Sequence, residues 1–324
     1  MKKLLSILLF CCSMIFIVSA KAEQALDQIV AIINDDVITR SELDTALTRV
    51  KVQISQEHVA APTGEILQKQ VLEQLINKKL QLQIARQMGI TIPDAAVNEA
   101  IDNVAKQNNT TMTDLYQRLS QENLTVGEYR QEIRDQMILH KIQQQEVAGK
   151  INVSATEVAT FMKSKTWQSN SEKEYRIEDI LIPLNDEPSS DEVVAAKKHA
   201  LDVLAKLRAG QSFHAIAQSE SGGKNALQGG DLGWRKLPEI PSAFTEQVTQ
   251  LQKNELAGPI QAANGFHLIR LADERSIGNH IKPNQKQVEE LLLQQKFEEA
   301  VQNWISKLRG QAYIVMNPDK NVRA

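Results

Sequence analysis

Two side chains with acid–base character stand in separate apolar segments that are typical of β-strands. Asp179 lies in RIEDILIPL, residues 176–184, and His267 lies in GFHLI, residues 265–269. Because strand side chains alternate, Asp179 shares its face with apolar residues. Burying a carboxylate costs several kcal/mol unless it has a partner. His267 could carry charge near neutral pH, although a lone inward histidine is more often a satisfied core residue.

A glycine-rich run is the next candidate for a functional site. QGGDLGW (228–234) is followed by PSAF (241–244), GPI (258–260) and NGFHLI (264–269). Glycines of this kind could belong to a phosphate-binding loop. However, the sequence has no GxGxxG-type loop between a strand and a helix, and no Walker lysine follows. We therefore reject the phosphate-loop interpretation.

In their order and spacing, these motifs resemble the parvulin family of peptidyl-prolyl isomerases. The chain as a whole resembles the SurA-type periplasmic chaperones, in DQIVAIINDDVIT (27–39), RQMGI (86–90), AIDNVAKQNNTTMTDLYQRL (100–119) and the C-terminal helix. This resemblance covers essentially the whole mature chain. Well-known family members carry two parvulin units in tandem, whereas GGDLGW occurs once here.

The resemblance implies a proline-binding pocket. Rotation about a peptide bond has a barrier of roughly 18–20 kcal/mol, and a catalyst must favour the twisted amide over both planar forms. An apolar pocket with a few fixed polar groups suffices for this. The resemblance places Leu232, Ile240 and Phe244 at that pocket. The alternative is that they are ordinary core residues.

The resemblance also assigns the polar site residues. His267 matches the second site histidine of parvulins, and Asp179 stands where the first histidine of an HILI run usually stands. The family fold implies that the two face each other, so the acid should favour the charged imidazole and raise its pKa. The alternative is a buried pair that only braces the sheet. Ser221 and Asn264 align with two further polar site positions.

The replacement of the usual first histidine by Asp179 leaves two alternatives for the activity. The domain could be a weak isomerase, or it could be an inactive scaffold that only docks peptides. The loop after the first strand, residues 185–188, is acidic, which argues against recognition of phosphorylated segments. We expect no cofactor and no metal.

Residues 1–22 have the pattern of a secretory signal peptide. Lys2 and Lys3 precede an apolar run, and Ala20-Lys21-Ala22 supplies the cleavage pattern. The alternative is an uncleaved anchor, but a span needs about 20 apolar residues.

Both cysteines lie in this segment, so the mature chain has no thiol chemistry. Cleavage removes three of the 37 basic residues and none of the 40 acids, leaving a net charge of −6 that argues against nucleic-acid binding.

The element pattern predicts an α+β fold. Residues 23–168 should form a helical domain, and residues 172–275 an inserted parvulin-like βα3βαβ2 domain. The polar stretch 163–173 is expected to be a linker. The C-terminal helix and strand, within 282–324, cannot form a domain alone and should pack on the N-terminal domain.

The resemblance, together with the signal-peptide pattern, implies a periplasmic chaperone without a membrane span in the mature chain. Its expected partners are unfolded outer-membrane β-barrel proteins and proline-containing or aromatic-rich peptides, and it should not bind nucleic acid. Two alternatives remain open. One is a secreted foldase whose main output is prolyl isomerisation, and the other is a binding module with an inactive parvulin domain.

Overall fold

The computed structural model describes residues 27–57, 62–121, 124–277 and 283–316. The predicted signal peptide, residues 1–22, lies outside these ranges. None of the helices within them is long and apolar enough to cross a membrane.

The N-terminal region is a short hairpin followed by helices. Asn34 takes a positive φ of 51° between the two strands, a conformation that asparagine tolerates well. The fifth helix begins with a capping box, in which the Thr125 side chain accepts from the Glu128 amide and Glu128 bonds back to Thr125. The elements are β1 Ile29–Ile33, β2 Asp36–Thr39, α1 Arg40–Glu57, α2 Gly64–Gln87, α3 Asp94–Gln107, α4 Met112–Gln121, α5 Val126–Glu146, a 3-10 turn Ala148–Lys150, and α6 Ala155–Lys163.

The prediction of a linker at 163–173 is wrong. Helix α7 occupies Lys165–Asn170, and the Ser164 side chain caps it by accepting from the Trp167 amide at 3.1 Å. Trp167 is buried, with its ring centroid 5.4 Å from that of Phe161. A single buried aromatic residue produces no apolar periodicity, so the polar composition of this segment hid the helix.

The inserted domain contains a four-stranded antiparallel sheet in the order β4-β3-β6-β5. The third helix of the predicted pattern is a single 3-10 turn, Ala226–Gln228. The elements are β3 Lys173–Pro183, α8 Ser190–Arg208, α9 Phe213–Glu220, β4 Asp231–Lys236, a 3-10 turn Leu237–Glu239, α10 Thr245–Val248, β5 Leu256–Ala262 and β6 Gly265–Ser276.

The C-terminal segment completes the N-terminal domain, as the sequence predicted. It consists of α11 Gln285–Gln311 and β7 Ile314–Met316. Strand β7 pairs antiparallel with β1, which gives a sheet in the order β2-β1-β7. On α11, Arg309 forms a 2.7 Å ion pair with Glu73 of α2. The parvulin-like domain is thus inserted between two parts of one helical domain.

The two domains share a hydrophobic core. Val158, Trp167, Val288 and Leu292, which flank the inserted domain in sequence, pack in one cluster with residues of its sheet. Buried apolar surface of this kind is a main source of folding stability. The cluster therefore holds helix α11 against the inserted domain.

Candidate functional site

Asp179 and His267 come from the two central strands of the inserted sheet. In the register of β3 with β6, Leu181 is paired with His267 and Asp179 with Ile269. Asp179 and His267 are therefore diagonal neighbours on one face, a separation that long or aromatic side chains can bridge.

The imidazole of His267 is held at both ring nitrogens. Nδ1 lies 2.9 Å from Oδ1 and 3.0 Å from Oδ2 of Asp179, and Nε2 lies 3.1 Å from Oδ1 of Asn264. Only the doubly protonated imidazolium can donate to both acceptors. The site thus has the geometry of a carboxylate–imidazolium pair extended by an amide.

The surroundings of His267 have opposing effects on its protonation. Burial alone would lower the pKa of His267, because it disfavours the charged ring. The charge and hydrogen bond of Asp179, with a further contribution from Glu299, outweigh burial and raise the pKa of His267 above its ordinary value. The side chains of His267 and Asp179 are only 9% and 13% exposed, so solvent screens the pair weakly.

The glycine-rich motif brings a loop close to Asp179. Gly230 has a φ of +83°, and a Cβ atom there would lie 2.5 Å from the carbonyl oxygen of Asp179. The Asp179 amide donates to the Gly230 carbonyl at 2.9 Å. Next in the chain, Asp231 accepts from the Gly233 amide at 2.8 Å and pairs with Arg176 at 2.6 Å. These contacts fix the start of β4 and place Leu232 at the site.

A cavity of about 360 Å³ opens beside the pair. Its size is at the lower end of the roughly 300–1,000 Å³ range of ligand sites. Phe244 forms part of its apolar wall, with its ring centroid 5.5 Å from that of His267. The inserted domain contributes the lining residues Asp179, Leu181, Gly223, Lys224, Asn225, Leu232, Arg235, Glu239, Pro241, Ser242, Ala243, Phe244, Ala262, Ala263, Asn264 and His267.

The structure brings five of the seven predicted site residues together at this cavity: Asp179, Asn264, His267, Leu232 and Phe244. It places the other two, Ser221 and Ile240, behind the cavity wall.

Ser221 is buried, and its Oγ accepts from the amides of Leu181 and Gly223, each at 3.1 Å. Ile240 is fully buried in the cluster shared by the two domains. Neither Ser221 nor Ile240 is among the residues that line the cavity.

The prediction missed one wall of the cavity. Helix α11 of the helical domain contributes five polar residues to the lining: Gln295, Glu298, Glu299, Gln302 and Asn303. Their spacing of three and four residues does mark one helical face. A polar helical face is normally a solvated surface, so nothing in the sequence pattern placed this face against a site.

No group of three or more metal-ligating side chains suited to a metal ion occurs in the part of the chain that the structure describes. Of the polar side chains that line the cavity, Asp179, Asn264, His267, Glu298 and Glu299 each have a bonding partner.

Two protein-family models match different parts of the chain. The model of the SurA N-terminal domain matches residues 26–143, and the PPIC-type PPIASE domain matches residues 180–273. A crystal structure of a PpiC-type peptidyl-prolyl cis-trans isomerase domain is 29% identical, covering 34% of this chain and 98% of that chain, with a TM-score of 0.31.

Curated relatives match most of the chain. Chaperone SurA of Legionella pneumophila is 39% identical over 252 residues, which are 78% of this chain and 59% of the relative. Chaperone SurA of Nitrosococcus oceani is 35% identical over 287 residues, 88% of this chain and 67% of the relative. This chain thus spans 59% of the length of the Legionella relative. The protein belongs to the SurA chaperone family and carries a parvulin-type domain.

Proposed function

We propose that this protein is a periplasmic chaperone that binds unfolded outer-membrane β-barrel proteins and assists their folding and delivery. Membership of the SurA family supports the chaperone activity. The predicted signal peptide supports the location. Unfolded barrel proteins expose strands with alternating apolar side chains and aggregate readily, so they need such a partner.

The observation that carries the proposal for the parvulin-type domain is the Asp179–His267 pair beside an apolar cavity. Leu232 and Phe244 offer an apolar surface to a proline ring or an aromatic side chain. Both ring nitrogens of His267 are already bonded, to Asp179 and Asn264. The imidazole therefore has little capacity left to bond a twisted amide, which favours peptide binding with weak isomerisation.

A functional test should keep the chain whole. Deleting residues 172–275 would uncover Val158, Trp167 and Val288, which are buried against the inserted domain. A newly exposed apolar surface could itself capture unfolded proteins and mimic a chaperone. Point variants of the cavity avoid this artefact.

The experiment measures aggregation of an unfolded outer-membrane barrel protein by light scattering. It compares the mature chain with Phe244→Ala and His267→Gln, and with His140→Gln as a control at an exposed position. Prolyl isomerisation of a model peptide is measured with the same proteins by NMR exchange.

We expect the unaltered chain to suppress aggregation, and His267→Gln to retain most of that activity. If suppression disappears in step with isomerisation, while His140→Gln keeps both, the foldase alternative is correct. If the unaltered chain does not suppress aggregation, the chaperone proposal fails.

The location has its own test. Expression of the full sequence in a Gram-negative bacterium should yield a periplasmic protein that begins at Glu23, because cleavage is predicted after Ala22. N-terminal sequencing of the periplasmic fraction checks this. A cytoplasmic protein that keeps residues 1–22 would contradict the proposed location.

A further inference from the structure

Helix α11 belongs to the helical domain, but one of its faces forms a wall of the parvulin cavity. Gln302 and Asn303 both lie in that wall and are half-buried. A ligand in the cavity would therefore meet side chains from both domains.

Contacts one turn earlier on α11 fix this wall in place. Glu299 accepts hydrogen bonds from the amide and the hydroxyl of Ser242, at 2.6 and 3.1 Å. Glu298 forms a 3.0 Å ion pair with Lys224. Because α11 is held to the cavity on two sides, the wall is preformed and a ligand would not have to order it.

Gln302 and Asn303 differ from these neighbours. Within the described residues, neither side chain makes a hydrogen bond, although Glu298 and Glu299 on the same face are both engaged. Each side-chain amide offers a carbonyl acceptor and two N–H donors. These are the complements of the C=O and N–H groups that alternate along an extended peptide.

We propose that Gln302 and Asn303 form a subsite that hydrogen-bonds the backbone of an extended polypeptide whose proline or aromatic side chain occupies the cavity. The inference rests on the proposed peptide binding at this cavity. Backbone recognition is independent of sequence, so the subsite would add affinity for many unfolded clients. The apolar wall at Leu232 and Phe244 would select the side chain.

The experiment measures binding of a fluorescent proline-containing peptide to the whole mature chain by anisotropy. Gln302→Met and Asn303→Leu remove the amides at similar side-chain size. Gln311→Met is the control, since Gln311 is exposed at the end of α11 and does not line the cavity. Each lost hydrogen bond should weaken binding by about two- to tenfold, and the control should bind normally.

A second set of peptides identifies the partner atoms. In these peptides each backbone amide near the proline is replaced in turn by an ester, which removes one N–H donor and weakens one carbonyl acceptor. For one of these replacements, the unaltered chain should lose affinity for the peptide. A variant that lacks the side-chain amide bonded to that position should show no further loss of affinity for the same ester peptide. This is a double-mutant cycle between protein and peptide.

The outcomes separate the two proposals. If the unaltered chain does not bind the peptide, peptide binding at the cavity fails and the subsite fails with it. If the chain binds but both variants bind equally well, only the subsite is overturned. Weakened binding without coupling to any ester position would exclude backbone hydrogen bonds as its cause.

Discussion

Asp179 and His267 form a hydrogen-bonded pair across a diagonal of two central strands, although they are not register partners. The carboxylate lies 2.9 Å from the imidazole Nδ1, while the register partner of His267 is Leu181. Both side chains line the cavity. Their charges are therefore coupled to each other and available to influence a ligand.

Replacing Asp179 with asparagine should lower the pKa of His267. In the unaltered chain the carboxylate outweighs burial and raises the pKa of His267 above its ordinary value of about 6.5. Without that charge, burial should dominate and disfavour the imidazolium. Titration of the His267 ring by NMR in the unaltered chain and in Asp179→Asn measures the change. An unchanged pKa in Asp179→Asn would show that the carboxylate is not the cause.

The same pair predicts how stability depends on pH. A histidine whose pKa is raised by folding stabilises the protein fully below its unfolded pKa of about 6.5, and this stabilisation is lost as the pH rises through the folded pKa. The unaltered chain should therefore have a higher free energy of unfolding than Asp179→Asn. Above about pH 5, this difference should be largest at the acidic end of the series. Urea unfolding across a pH series tests this. A stability difference that grows with pH would have the wrong sign.

Gly230→Ala should destabilise the inserted domain and distort the site. The added Cβ would lie 2.5 Å from the Asp179 carbonyl oxygen, at a φ of +83°. Strained backbone of this kind costs about 1–3 kcal/mol, and the steric contact adds to it. Gly64→Ala is the control, because nothing lies within 4 Å of a Cβ there. The free energy of unfolding, measured with urea, and the affinity for peptide should both fall for Gly230→Ala only. Equal values for the two variants would refute the role of Gly230 beside Asp179.

Gln70→Leu should weaken the junction between the domains. The buried Gln70 amide on α2 donates to the carbonyl oxygens of Gln218 and Ser221, at 2.9 and 3.0 Å. Leaving buried carbonyls without a donor costs about 1–3 kcal/mol. Gln68→Leu, at a half-buried position of the same helix, should change the free energy of unfolding much less. An equal loss of unfolding free energy in Gln70→Leu and Gln68→Leu would indicate a general effect of leucine on α2.

Trp167→Ala should cost about 3–5 kcal/mol of unfolding free energy, as is usual for a large buried aromatic residue. Trp167 is 6% exposed and packs in the core shared by the two domains. Tyr313→Ala is the control, since Tyr313 is 66% exposed and should change stability by no more than about 0.5 kcal/mol. A small effect of Trp167→Ala would mean that the shared core contributes little to stability.

The elements and the core of the inserted sheet were predictable because their signals are local. Strand alternation placed Asp179 and His267 on inward faces, and the glycine-rich motif marked the loop beside them. Capping residues and apolar periodicity predicted most helices. The linker prediction for residues 163–173 was wrong because the helix there is stabilised by one tryptophan that packs on residues distant in sequence.

The sequence by itself determined which residue types could form the site and that the terminal segments must pair. Only the tertiary structure decided that Ser221 and Ile240 lie outside the cavity lining, and that helix α11 forms one side of the cavity. The physical reason is that strand and helix periodicity fix which face a side chain occupies, but not what that face meets. The polar stripe on α11, including Gln302 and Asn303, lines the cavity only because the shared core holds the helix there.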